Sequence, residues 1–116
     1  MKRLLAVLFF LLPAFAFAQY PNKPVRMIVP FAPGGASDFV GRILQPRMTE
    51  LLGQQIVVDN RPGASGNIGM DAAAKAAPDG YTIYLGNVGT VALNPSVFPK
   101  LGVVPTRDFI SVTQVV

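Results

Sequence analysis

Apolar and polar positions along this chain change period several times, and each change marks a predicted element. Val25-Arg26-Met27-Ile28-Val29 is a short apolar run rich in β-branched residues, which suits a central strand of a parallel sheet buried on both faces. Pro30 and Pro33 forbid its continuation as a ladder. Beyond them Val40, Ile43, Leu44, Met48, Leu51 and Leu52 recur at helical spacing. Ser37 is the predicted N-cap, with Asp38 in the first turn where negative charge is favoured, and Gly53 closes the helix as its C′ residue. Pro46 lies inside the pattern and cannot donate to the carbonyl of Arg42, which predicts a kink or a helix in two pieces.

The same alternation repeats downstream. Residues 55–59 (QIVVD) read as a second strand, and Asn67 can cap a helix running through Ile68, Met70, Ala73, Ala74 and Ala77. Pro78 stops that helix, and Pro78-Asp79-Gly80 has the chemistry of a turn. Residues 81–85 (YTIYL) read as a third strand, followed by a short helical stretch over 91–93. Residues 96–107 form a connecting segment with Pro99 and Pro105, and 110–116 read as a last strand.

The order β-loop-α-β-loop-α-β-loop predicts an α/β fold: an open, mostly parallel sheet with flanking helices and right-handed crossovers. Each of the first three strands runs into glycine: Gly34-Gly35, then Gly63 and Gly66, then Gly86 and Gly89. Three such loops share the carboxyl edge of the sheet, where ligands gather in this architecture. At the first, two glycines leave the backbone open to a small anion at a helix start. We therefore expect half of a carboxylate-binding site in Phe31, Gly34, Gly35, Ala36, Ser37 and Asp38, joined by Asn67, Asn87 and Thr90. The N–H groups of Gly34, Gly35 and their neighbours are the expected carboxylate donors. A bare Asp38 facing an anion is repulsive, which favours a capping or orienting role for it. Asn67 and Asn87 donate and accept, so capping and ligand contact are both open to them. Phe31 either covers the ligand or packs beneath the loop. Arg61 is either a carboxylate partner or, before Pro62, an extended surface residue.

Composition changes this picture at the amino terminus. Lys2 and Arg3 precede an unbroken apolar run over residues 4–12, and Ala16-Phe17-Ala18 has the form of a signal-peptidase site. Nine apolar residues are too few to span a bilayer, which needs about 20. Residues 1–18 are thus an expected signal peptide and 19–116 the exported part. The leader holds two of the ten basic residues and none of the six acidic ones, so the formal charge falls from +4 to +2 on its removal. The remaining charges are scattered, with no basic stripe interleaved with aromatics, which argues against a nucleic-acid partner. The chain has no cysteine to build a disulfide framework and no histidine, the commonest metal ligand and general base. No metal site and no cofactor are expected.

Enzyme motifs fail residue by residue. Gly63-Ala64-Ser65-Gly66-Asn67 departs from the nucleophile elbow G-x-S-x-G at its last position. Gly63, Gly66 and Gly69 give G-x-x-G-x-x-G rather than the dinucleotide fingerprint, and no Walker A lysine follows any glycine loop. A non-catalytic binding protein is the expectation. The alternative is the N-terminal part of a secreted α/β enzyme whose catalytic residues lie beyond Val116.

One family carries these motifs together. Pro30-Phe31-Ala32-Pro33-Gly34-Gly35 with Asp38 and Arg42, Leu52-Gly53-Gln54, Val58-Asp59-Asn60-Arg61-Pro62-Gly63-Ala64, Gly66-Asn67-Ile68-Gly69, Ala77-Pro78-Asp79-Gly80-Tyr81-Thr82, Asn94-Pro95 and Asp108-Phe109 together resemble the tripartite tricarboxylate transporter receptors, also called Bug-type periplasmic binding proteins. The resemblance implies a two-lobed, type II periplasmic-binding-protein fold that closes on a small carboxylate. Loop amides, small polar side chains and ordered waters hold the ligand, and residues 31–38 supply the principal first-lobe contact. It implies delivery to membrane transporter subunits in the inner membrane, a periplasmic location, and no stable membrane insertion once the leader is cut. On this footing residues 19–116 are a partial, truncated first lobe, the leading piece of a longer protein, binding weakly or not at all alone. Mass spectrometry of the exported chain should find Gln19 at the amino terminus; a mature start elsewhere would move the leader boundary.

Overall fold

The computed structural model describes residues 19–115; the expected signal peptide with its expected cleavage site, and Val116, lie outside the described residues. The apolar run at 25–29 is β1 (Val25–Val29), the centre of a three-stranded parallel sheet. It is flanked by β2 (Ile56–Asn60) and β3 (Thr82–Tyr84). Val25 lies opposite Ile56 and Val29 opposite Asn60, while Arg26 faces Thr82 on the other side. Because β1 is paired along both edges and covered on both faces, Met27 and Ile28 are buried alike, and an uninterrupted apolar run is what such a strand requires.

The first crossover is α1 (Ala36–Leu52). It lies on the face that carries Val25, Met27 and Val29, which form a core with Ile56 and with Met48, Val58, Ile83 and Leu85 around it. Gly41 permits the approach: a Cβ there would stand 3.3 Å from Met27 Sδ and 3.4 Å from Val29 and Leu85 carbons. Two side chains tie α1 to the first residue of β2, Gln45 Nε2 donating to the Ile56 carbonyl at 2.8 Å and Thr49 Oγ1 accepting from its N–H at 3.1 Å. The second crossover contains a 3₁₀ turn (Ala64–Gly66) and α2 (Asn67–Ala74). The first crossover runs from β1 to β2 and the second runs back from β2 past β1 to β3, in the opposite direction across the sheet, so right-handedness puts their helices on opposite faces. Met70 of α2 is fully buried there. After β3 come a π-helical turn (Gly89–Leu93), α3 (Asn94–Val97) and α4 (Pro105–Asp108). No helix among the described residues is long and apolar enough to cross a membrane.

Several local expectations are corrected. Gly35, not Ser37, is the N-cap of α1; its extended backbone makes the turn, its carbonyl accepts from Phe39 N–H at 2.9 Å, and Ser37 is already helical. Helix α1 runs unbroken through Pro46. Pro46 and Arg42 are both exposed, so the carbonyl that loses its donor belongs to the watered side while the opposite side stays packed on the sheet. Asn67 is the first residue of α2 rather than its cap, since Gly66 at φ 88° makes the turn. Helix α2 ends at Ala74, before Ala77. Residues 110–115 form no strand; Ile110 and Val112 are 93% and 87% exposed, and β-branched composition without a neighbouring strand does not make a ladder. The predicted Gly53 C′ is observed in the left-handed conformation, its N–H bonded to Thr49 O at 3.0 Å.

The first described residues are clasped to the turn before β3. Tyr20 donates its hydroxyl to Gly80 O at 2.6 Å and meets Tyr81 edge-on at 5.1 Å, Tyr81 donates to Asn22 Oδ1 at 2.8 Å, and the Lys23 ammonium lies 4.2 Å from the Tyr81 ring centre. At the other end of the described chain, Phe109 stacks on Tyr84 at 5.2 Å.

The closest approach of backbone to a glycine falls at Gly69, where a Cβ would come 2.8 Å from both Pro30 Cα and the Arg61 carbonyl. Both obstacles are backbone, so Gly69→Ala should destabilise the fold by about 1–3 kcal/mol. An unchanged denaturant midpoint would show that α2 can retreat without cost.

Candidate functional site

Parallel pairing places the carboxyl ends of all three strands on one edge, and the three glycine loops meet there. The first loop is braced from behind. Asp38 is 2% exposed, and its carboxylate accepts from Gly34 N–H at 2.8 Å, Arg42 Nε at 2.8 Å and Asn60 Nδ2 at 3.0 Å. The Asn60 amide nitrogen also donates to Phe31 O at 3.0 Å. Loop, helix and strand end are thereby locked to one carboxylate. The Arg42 hydrogen bond chiefly, then Gly34 N–H and Asn60, hold its pKa down from 3.8 to about 2 against the opposing effect of burial.

These bonds alter the expected donor set. Gly34 N–H is spent on Asp38, and Gly35 N–H points to Ala32 O at 3.3 Å, so neither is free for a ligand. The donors left open lie one step further on. No side chain caps α1, and the first N–H groups of a helix have no intrahelical acceptor; here they belong to Ala36, Ser37 and Asp38. Gly35, Ala36 and Ser37 line a shallow depression of about 250 Å³ together with Phe31 and Asn87. The first and third loops therefore share a cavity wall.

The third loop orients Asn87 by a reciprocal pair. Asn87 Oδ1 accepts from Thr90 N–H at 3.0 Å, and Thr90 Oγ1 accepts from Asn87 N–H at 3.2 Å, a capping-box arrangement. A backbone N–H can only donate, so the atom facing it is the amide oxygen, and Asn87 Nδ2 is the end left free. Thr90 itself is fully buried with its hydroxyl turned to Asn87, and it offers the depression no free group.

The second loop stands beside this wall rather than in it. A Cβ at Gly66 would meet Thr90 Cγ2 at 2.5 Å and Phe31 Cζ at 3.3 Å, so Gly66 packs directly against both neighbours. Asn67 is half-buried, and its Oδ1 accepts from Asn94 Nδ2 at 2.6 Å. Arg61 turns away, pairing with Asp59 at 3.0 Å, and Arg26 pairs with the same carboxylate. This second cluster borders a separate open depression of about 450 Å³ on the sheet face.

Two residues of this edge escaped the sequence reading as site-builders. Asn60 and Asn94 were visible only as members of motifs, although an asparagine ending a buried strand is itself a signal of a satisfied amide.

The family model described as tripartite tricarboxylate transporter family receptor matches residues 40–116. The chain belongs to that family. Among curated relatives it is 44% identical over 93 residues to a Pseudomonas sp. (strain P51) protein, covering 80% of this chain, and 40% identical over 122 residues to BugT of Bordetella pertussis, covering 99%. It spans 27% and 37% of the lengths of those two relatives. Among solved structures it is similar to MatC from Rhodopseudomonas palustris with bound malate, with a TM-score of 0.75 and 41% identity over 78% of this chain and 31% of that one. An R. palustris protein with adipate gives a TM-score of 0.71 and 40% identity, over 75% and 29%.

Acid should release the Asp38 brace. Its folded pKa lies below its unfolded value, so its contribution to stability is complete above about pH 5 and is lost as pH falls through about 2. The stability difference between wild type and Asp38→Asn should shrink over that interval. A difference independent of pH would mean that the carboxylate charge does not hold the loop.

Proposed function

We propose that this chain supplies one wall of an exported, non-catalytic receptor for a small carboxylate, operating in the periplasm with a membrane transporter of the tripartite tricarboxylate type. One observation carries the ligand class. Unpaired Ala36 N–H, Ser37 N–H and Asn87 Nδ2 at the shared depression are donors, the Ser37 hydroxyl beside them can donate as well, and they stand at the positive end of a 17-residue helix. Donors without matching acceptors recognise an anion, and a helix start adds partial positive charge. Ion pairing with Arg42 offsets the Asp38 charge, so it does not cancel that field. Malate and adipate, seen with two relatives, are carboxylates of the kind this edge suits. The leader at residues 1–18, cut after Ala18, delivers the chain to the periplasm.

Affinity calls for a second wall. Three charge-assisted hydrogen bonds give roughly 5–9 kcal/mol gross, against roughly 4–15 kcal/mol lost on association. The depression is open, and the relatives are far longer than this chain. Closure of a second lobe that excludes water supplies the difference.

Malate added to the purified chain should shift the NMR resonances of Ala36 and Ser37 N–H and Asn87 Nδ2, with a dissociation constant weaker than about 1 mM. Asn87→Asp keeps the acceptor for Thr90 N–H and replaces the free donor by an anion, and should abolish the response without unfolding the chain. Tight binding by this chain alone would refute the closure argument, and silence at all three groups would remove the loop edge as the site.

A further inference from the structure

The sequence motif Asp108-Phe109 does not line the depression, yet the chain around it is fixed at several points. Asp108 accepts from Val104 N–H at 2.8 Å and from Arg107 Nε at 2.6 Å, which closes the single turn of α4, and Pro105 at its start is buried. Phe109 N–H then donates to Pro105 O at 3.1 Å. The Phe109 ring lies on Tyr84 with 5.2 Å between ring centres and 22° between planes. Tyr84 ends β3 just before the third loop. A Cβ at Gly86 would stand 3.0 Å from Tyr84 Cε1 and 2.7 Å from Val91 Cγ2, so the same ring packs against the entry of that loop.

Hydrogen bonding does not explain where the Tyr84 ring sits. Its hydroxyl is buried and makes no hydrogen bond of normal geometry among the described residues, and a hydroxyl left so costs free energy rather than supplying it. Burial pushes its pKa up, with the Thr90 side chain acting against that shift. Ring packing is what remains, against Phe109 and against Gly86. Tyr84 stands opposite Ile28, on the other face from the core of Val25, Met27 and Val29, so the Phe109 contact can be lost without emptying that core.

We infer that Phe109 is a positioning residue for Asn87: through the Tyr84 ring it fixes the entry of the third loop, and with it the direction of the Asn87 amide that lines the depression. The inference rests on the receptor reading above for its consequence and deepens it by making the two walls unequal. The first loop is braced by Asp38 through Gly34, Arg42 and Asn60, none of which touches Phe109. The third loop instead answers to the placement of residues 105–109, so a shift of that segment would redirect Asn87 while the first wall stayed as it is.

The test is NMR on the full chain, wild type and Phe109→Ala, with malate as probe. In the variant the bond from Thr90 N–H to Asn87 Oδ1 should loosen, and Thr90 N–H should exchange about two- to tenfold faster, while exchange of Gly34 N–H is unchanged. At malate concentrations that shift Ala36 N–H equally in both proteins, the shift of Asn87 Nδ2 should be several-fold smaller in the variant. A merely structural Phe109 would speed Gly34 and Thr90 exchange alike and keep the ratio of the malate shifts; that pattern, or no change at all, would overturn the proposal. Should Phe109→Ala fail to fold, hydrogen exchange of the wild type in low denaturant decides. Phe109 N–H and Thr90 N–H should open as one unit with the same denaturant dependence, and Thr90 N–H still protected after Phe109 N–H has opened would overturn the proposal. If malate moves nothing in wild type while Thr90 exchange responds to Phe109→Ala as expected, the receptor reading fails and the positioning of Asn87 stands.

Discussion

Parallel pairing of β1 along both of its edges is the constraint on which the rest of the molecule depends. The ladder continues past the strands themselves: Arg61 N–H reaches Val29 O at 2.8 Å and Leu85 N–H reaches Ile28 O at 2.9 Å. Those two bonds set where the second and third loops leave the sheet, while Pro30 ends β1 and starts the first. A one-residue slip of β1 would turn its side chains to the opposite faces of the sheet and move Met27 away from Gly41. The loop edge is thus a consequence of register as much as of loop sequence.

Behind that edge, polar groups are satisfied inward so that others can remain open outward. A buried carboxylate is costly unless it is well paired, and Asp38 gathers its partners from a loop, a helix and a strand end. Thr90 and Asn94 do the same for the other two loops. Each brace removes freedom before any ligand arrives, and lowering the ordering cost is the general route to affinity at a small polar site. Loops fixed from behind present a set of donors whose directions are determined by the backbone rather than by mobile side chains.

How much of this was legible depends on the separation of the partners. The three strands, their order of appearance and the two crossover helices follow from local period, because a five-residue apolar run such as 25–29 and the apolar spacing of 40–52 each encode their own burial. Gly53 as a helix end is likewise local. The family motifs were legible for the same reason. Partnerships between distant residues were not: Asn60 meets Asp38 across 22 positions and Asn94 meets Asn67 across 27, and no periodicity announces them. The direction of Gly34 N–H depends on a side chain four residues on, so it is not free for the role expected of it, while the N–H groups of Ala36 and Ser37 remain open. Propensity misled where tertiary contacts decide, in a helix that tolerates Pro46 and in β-branched residues after Phe109 that find no strand to join.

The aromatic clasp at the start of the described chain has a practical corollary. Tyr20 and Asn22 are stitched to the turn that precedes β3, on the rim where the strands begin, whereas the loops lie where they finish. The two rims are separated by the length of β1, roughly 16 Å for five extended residues. A fluorophore or surface linker attached at Gln19 would therefore be held in a defined place by Tyr20 and Tyr81 yet stand clear of the strand-end loops, which makes this position a natural handle.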